Sequence, residues 1–307
     1  MKRRALLSMR RDILIAVGLA LLLALSFYSV PALAGGPEPQ EAPTLPPPEQ
    51  PPPVIDGHGT GFIPPEMDLS HLTGQEMPER FMVGQPPVGQ PPASFDWRTQ
   101  GKVTSVKNQG ACGSCYAFAT IANIESEILV DGAATLPDPD YSENNAKECN
   151  WREINSYVDP WGNSWGGCSG GDYLMLASLF SQKGVVLESD DPYDAVDTDP
   201  CNTPCTGTCP CQKTLLDWRI ISTNAVPNTD VLKNYIYQQA SPVYTTVYVD
   251  SSQGFDSSYA GSYTFNYTTS PATGTNHTVL IVGWSNNLPP VPGGSSPADG
   301  WIVKNSW

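Results

Sequence analysis

Gln109-Gly-Ala-Cys112-Gly-Ser-Cys115-Tyr-Ala-Phe-Ala-Thr-Ile-Ala-Asn-Ile-Glu-Ser-Glu-Ile-Leu-Val130 changes character at its second cysteine. Before Cys115, Gly110 and Gly113 let the backbone come close to whatever lies beside it. After it, Phe118, Ile121, Ile124 and Ile128 recur at helical intervals and Asp131-Gly132 interrupts them, which predicts a helix over 115–130. A cysteine at the first position of that helix meets unpaired backbone amides and the positive end of the helix dipole, which favour a thiolate. By themselves Cys112 and Cys115 form a C-x-x-C pair, open to three readings: a redox couple, half of a metal site, or a nucleophile near a second cysteine. No βαβ pattern surrounds the pair, which argues against redox. No second C-x-x-C or H-x-x-x-H follows, which argues against zinc. The place of Cys115 at a helix start supports the nucleophile.

Downstream, Leu174, Leu176, Ala177, Leu179 and Phe180 mark a second helix over 172–183, ending before Gly184. A third is expected over 229–240, with Thr229 or Asn228 as its cap. The pattern then turns to β-formers at Pro242–Val249, Ser262–Tyr267, Thr278–Val282 and Trp301–Val303. Helices first and strands later indicate an α+β protein with two segregated halves.

Upstream, the 307-residue chain is acidic, with a formal net charge of −15. Lys2, Arg3, Arg4, Arg10 and Arg11 against Asp12 make the first 34 residues +4, so the remainder carries −19. Such a field gives phosphate backbones and anionic lipid no hold, so nucleic acid is not an expected partner. An 18-residue apolar run from Ile13 to Val30 and then Pro31-Ala-Leu-Ala34 follow the basic stretch. Residues 1–34 therefore read as a signal peptide cleaved after Ala34, or as an N-terminal membrane anchor if uncleaved; either way the rest is exported, secreted or extracytoplasmic. Residues 35–94 hold 16 of the 31 prolines. Of these, 35–53 read as a polyproline linker. Residues 54–93 read as a short pro-region or N-terminal extension, packed on a neighbouring surface or disordered. His58 and His71 lie there with no motif around them.

Four motifs then carry a resemblance. Ser94-Phe-Asp-Trp-Arg98 with the 109–119 stretch, Gly167-Cys168-Ser-Gly170-Gly171, Asn276-His277-Thr-Val-Leu-Ile-Val-Gly-Trp284, and Gly300-Trp-Ile-Val-Lys-Asn305-Ser-Trp307 stand in this order. Together they resemble the papain and cathepsin cysteine proteases over residues 94–307, as an exported member of bacterial type. From Cys115 to His277 is 162 residues and to Asn305 is 190, longer than the family's usual spacing, so insertions are expected at 131–165 and 194–215. The resemblance implies a two-lobed fold with a helical left half and an antiparallel, barrel-like right half. Family members continue past the Asn-Ser-Trp segment, so the peptidase domain at 94–307 is expected to lack its last strands.

The resemblance also implies roles. Cys115 would be the nucleophile, His277 its acid–base partner, Asn305 the residue that orients the imidazole, and Gln109 a donor to the oxyanion. Gly170 and Gly171 would be the backbone edge that binds extended substrate. Asp172, Tyr173, Thr275 and Thr278 would line the specificity pocket, with Asp172 hinting at tolerance of basic side chains, and Trp307 would shield the Asn305–His277 bond. Cys112–Cys168 and Cys149–Cys201 match family disulfides, leaving Cys205, Cys209 and Cys211; disulfide pairing is preferred there over a metal site. No metal or cofactor is expected, and the partners are protein or peptide substrates of a monomer. The sequon at Asn276 abuts His277 and is expected to stay unmodified. Three functions compete: an endopeptidase, an exopeptidase or transpeptidase on the same scaffold, and a non-catalytic surface binding homologue.

Overall fold

The computed structural model describes residues 54–55, 57–65, 69–73, 90–154, 166–197, 201, 211–222, 226–238, 241–249, 274–288 and 298–307. The segments expected to be a signal or anchor and a polyproline linker, the strand expected at Ser262–Tyr267, and Cys205 and Cys209 lie outside these. Among the described residues no helix is long and apolar enough to cross a membrane.

Helix α1, Cys115–Val130, forms as its apolar spacing requires. The amides of Ala117 and Phe118 bond back to the Ser114 carbonyl at 2.8 and 3.2 Å. The Ser114 hydroxyl does not cap the helix; it bonds the Tyr193 hydroxyl at 2.8 Å. Sequence periodicity marks one apolar face, but the helix is buried on two. Tyr116, Ala117 and Ile121 enter one core with Tyr141, Met175, Leu176, Phe180 and Val185. Ala122 enters a second core with Trp97, Ile236, Leu280, Val282 and Trp284. A helix buried on both faces is the wall between two lobes, and Cys115 is its first residue.

The helical lobe adds α2 (Glu143–Glu148), α3 (Trp151–Ile154) and α4 (Tyr173–Gln182). Ser142 and Asp172 cap α2 and α4, their side-chain oxygens accepting from Asn145 N at 2.8 Å and Met175 N at 2.9 Å. The stretch 131–165, expected to be an insertion of loop character, thus contains two short helices. Their missing signal has a physical reason: α2 is buried but polar, and its charged and amide groups are bonded by Lys107 and Asp191 in place of apolar packing.

The strand lobe begins with β3 (Ser94–Asp96), after the two-residue strands β1 (Val54–Ile55) and β2 (His58–Gly59). It continues with α5 (Thr229–Gln238), β4 (Val243–Val247), β5 (His277–Leu288) and β6 (Ala298–Lys304). Asn228 rather than Thr229 supplies the cap of α5, accepting from Asp230 N at 2.7 Å. The long β5 is central and antiparallel to all its neighbours, pairing β4 at Val247↔His277 through Val243↔Ile281, β3 at Phe95↔Trp284, and β6 at Trp284↔Trp301. This register sets His277 at the start of β5 and Asn305 just after the end of β6, at the same end of the sheet.

Candidate active site

Cys115 is fully buried and not disulfide-bonded, whereas its neighbour Cys112 is bridged to Cys168 and Cys149 to Cys201. The thiol lies beside Thr278 and within reach of the backbone N–H groups of Tyr116 and Gly61, all of which favour its anion. Thr278 is the residue after His277, so α1 and the start of β5 meet at the thiol. Asn305 Oδ1 accepts from His277 Nε2 at 2.8 Å. An amide oxygen can only accept, so the proton is on Nε2 and the inner nitrogen, Nδ1, presents a lone pair. Nδ1 is buried without a hydrogen-bond partner among the described residues. The Trp307 ring lies 4.6 Å from the imidazole and covers it.

Gln109 is fully buried and held on both sides. Ser306 Oγ donates to its Oε1 at 2.5 Å, which turns Nε2 inward to donate to the Cys112 carbonyl at 2.8 Å. The Gln109 amide bonds the Ser306 carbonyl at 2.9 Å and its carbonyl accepts from Tyr193 Oη at 2.8 Å. Ser306 and Tyr193 were not singled out in the sequence. Ser306 lies in the same motif as Asn305, but Tyr193 is 84 residues from Gln109 and no local signal reveals it.

The wall opposite is Gly170-Gly171. Gly170 adopts φ 102°, which a side chain would resist, and a Cβ on Gly171 would overlap Met175 and Tyr116. Tyr173 meets Tyr244 edge-on at 5.9 Å, and Thr278 is buried beside Cys115, while Thr275 is only half-buried. Asp172 is fully buried, with Oδ1 engaged as the cap of α4, so that oxygen does not reach out to a basic side chain. Both ends of the Asn276 amide bond Val249 at 2.8 Å, in keeping with an unmodified sequon.

The cleft between these walls is filled by the chain itself. Residues 58–63 thread it, entering from a turn at Gly57. Gln109 Nε2 donates to the Gly59 carbonyl at 2.7 Å, and Gly59 N donates to the Gly110 carbonyl at 2.8 Å. Gly61 and Phe62 amides both reach the Asn276 carbonyl at 3.0 Å. Gly171 N donates to Gly61 O at 2.8 Å and Ile63 N to Gly171 O at 3.1 Å, a parallel β-bridge centred on Phe62. A Cβ on Gly59 would overlap the Cys112 carbonyl, and one on Gly61 the Gly113 carbonyl, so only glycine fits at both points. His58, without a motif in the sequence, stacks on Trp307 at 5.3 Å.

Burial is the largest influence on the charges of both catalytic candidates. It pushes the Cys115 thiol up to about 11, against the helix amides and Thr278 that favour the anion. It pushes His277 down to about 4, against the Asn305 bond, and His58 adds to the depression. Burial thus favours the neutral thiol and the neutral imidazole, against the thiolate that the helix start favours.

Lobe arrangement and site together define the cysteine-protease class. Comparison with known proteins gives the family: residues 91–307 match the model described as papain family cysteine protease, and the chain belongs to that family. It is 32% identical over 223 residues to ananain of Ananas comosus, covering 70% of this chain and 52% of that protein. It is 34% identical over 218 residues to a cathepsin L-like proteinase of Fasciola hepatica, covering 70% and 56%. Among solved structures, digestive procathepsin L 3 of Tenebrio molitor larval midgut matches with a TM-score of 0.52 at 26% identity, over 75% of this chain and 68% of that one. The fold is thus the α+β, two-lobed papain fold. The chain spans between half and three fifths of the length of these two curated relatives.

Proposed function

We propose that this chain is an exported, monomeric cysteine endopeptidase whose residues 54–65 act as a covering pro-region. The observation that carries the reading is the Gly59 carbonyl on Gln109 Nε2, with the following residues paired to Gly171. The site already holds peptide backbone at the two places a peptide substrate would need, an oxyanion donor and a β-edge. A non-catalytic binding surface gives no reason to cover its own thiol in this way.

Once uncovered, Cys115 Sγ passes its proton to His277 and attacks the scissile carbonyl carbon. Negative charge on the carbonyl oxygen is met by Gln109 Nε2 and the Cys115 backbone N–H. The C–N bond breaks as His277 returns the proton to the leaving amine, giving a thioester on Cys115. Water, deprotonated by His277, then attacks the thioester, releasing the carboxylic acid and the thiol. Asn305 holds the imidazole plane through this exchange, and Trp307 keeps water from their bond.

The test is hydrolysis of internally quenched peptides by the protein after limited proteolysis within its N-terminal segment. Cleavage is expected at internal bonds, and Cys115→Ser is expected to reduce it by about 10³-fold or more. Hydrolysis that survives the substitution would refute the nucleophile, and release of terminal residues alone would favour an exopeptidase.

A further inference from the structure

A second cluster of chemistry lies behind the Gly170-Gly171 wall, away from the thiol. Glu148 at the end of α2, Glu153 on α3 and Asp197 each present an oxygen, and these oxygens all lie within 4.8 Å of one another. Glu148 is 1% exposed. One of its oxygens, Oε1, takes the ammonium of Lys147 as ion-pair partner, while Oε2 is buried with no hydrogen-bond partner among the described residues. Lys147 offsets one of the three carboxylate charges and no more. It is directed to Glu148 Oε1 and the Val196 carbonyl, and lies 3.7 Å from Asp194. Three carboxylates thus converge around a glutamate that keeps one buried oxygen without a hydrogen-bond partner among the described residues, with one cation among five charged groups. Burial pushes Glu148 up to about 7 against the Lys147 ammonium, which lowers it, and the Asp197 and Glu153 charges add to the rise. Burial and the Asp197 charge raise Glu153 as well. The Tyr116 hydroxyl, in the field of all three carboxylates, donates to the Gly167 carbonyl at 3.0 Å.

We infer that Glu148, Glu153 and Asp197 form a site for a hard divalent cation, calcium in the first place. An all-oxygen, carboxylate-rich set with an orphaned buried oxygen suits a hard cation, and calcium accepts irregular geometry completed by water. The site would brace the substrate wall. Asp197 Oδ1 accepts from Cys168 N at 2.8 Å, and the carboxylates of Glu153 and Asp197 occupy the space that a side chain at Gly166 or Gly167 would take, on the turn that leads to Gly170-Gly171. Glu148 adjoins Cys149, and Cys149–Cys201 and Cys112–Cys168 tie the same elements covalently. Occupancy would therefore lock α2, α3 and the 166–171 turn together.

The inference is independent of peptidase activity and is tested by binding. The full chain carrying Cys115→Ala, stripped with chelator, is titrated with calcium chloride by calorimetry, with magnesium chloride and matched sodium chloride as controls. One calcium per chain is expected, with a dissociation constant on the order of 10⁻⁵ to 10⁻³ M and weaker magnesium binding. At about 100-fold excess over that constant the melting temperature should rise by roughly 5–10 °C. Asp197→Asn and Glu153→Gln, both on residues outside the buried core, should each weaken binding about tenfold or more while leaving the circular dichroism spectrum unchanged. No heat and no melting shift at about 10 mM calcium in folded protein would overturn the site, as would undiminished binding in the Asp197→Asn, Glu153→Gln double variant.

Discussion

The oxyanion role proposed for Gln109 rests on the direction in which its amide points. Ser306 Oγ fixes the oxygen end, so Nε2 is already aimed into the cleft before any substrate arrives. A donor positioned in advance stabilises developing charge without reorganisation, so Gln109→Ala is expected to lower kcat by about 10²–10³-fold with little change in KM. Steady-state kinetics on the uncovered enzyme checks this, and an effect confined to KM would remove Gln109 from the oxyanion site. His277 makes a pH prediction. Its value in the covered state is depressed to about 4 from 6.5, so its contribution is present above 6.5 and lost as pH falls through 4. Cys115 is raised to about 11 from 9.0, so its contribution is present below 9 and lost as pH rises through 11. The cover should hold most firmly between these limits and loosen in acid. Hydrogen exchange of the Gly61 and Gly171 amides, corrected for intrinsic rates, should show protection falling below about pH 6.5; protection that stays flat down to pH 4 would detach His277 from the release.

At the scale of elements, residues 58–63 behave as a strand laid into a groove too narrow for side chains at two points. Gly61→Ala puts a methyl group against the Gly113 carbonyl, which the two packed backbones cannot easily yield to. Overpacking of this kind costs about 1–3 kcal/mol, so the unprocessed variant should hydrolyse a small fluorogenic peptide about tenfold faster or more than the unprocessed parent. Equal rates would mean the segment is not what limits access. The segment illustrates what a sequence conceals: Gly57-His-Gly-Thr-Gly61 has no helical or strand periodicity, and its partners at 109–113, 171, 276 and 307 are distant in the chain. By contrast α1, α4 and α5 are legible to within two residues at either end, because each has an apolar stripe and α4 and α5 also have a capping side chain. Helix α2 escaped the same reading because its burial is polar.

For the molecule as a whole, the lobes are joined by a buried charge network behind α1. Glu125, fully buried, accepts from Tyr141 N at 2.9 Å and from Thr104 Oγ1 at 2.5 Å, and Thr104 accepts in turn from Lys304 Nζ at 2.7 Å. Lys107 lies 3.6 Å from Glu125 and pairs with Asp140 at 2.7 Å and Glu143 at 2.9 Å. One carboxylate thus ties the helical lobe to the strand that delivers Asn305. Glu125→Ala leaves the buried Lys304 ammonium without its carboxylate and should destabilise the fold by about 3–5 kcal/mol, as read by urea unfolding in a Cys115→Ala background. A loss under about 1 kcal/mol would show that the lobes do not depend on it.

The sequence by itself determined the α+β class, the helix that begins at Cys115, and, through four ordered motifs, the residues gathered around it. Those features are local: apolar periodicity, caps and short motifs are written in neighbouring residues. Only the tertiary structure decided that α1 is a wall between two cores, that Ser306 and Tyr193 orient Gln109, and that a segment from the proline-rich region, His58 included, closes the cleft. Each of these rests on contacts between residues far apart in the chain. The charge state of Cys115 follows the same division, because the helix start that favours a thiolate is local and the burial that opposes it is not.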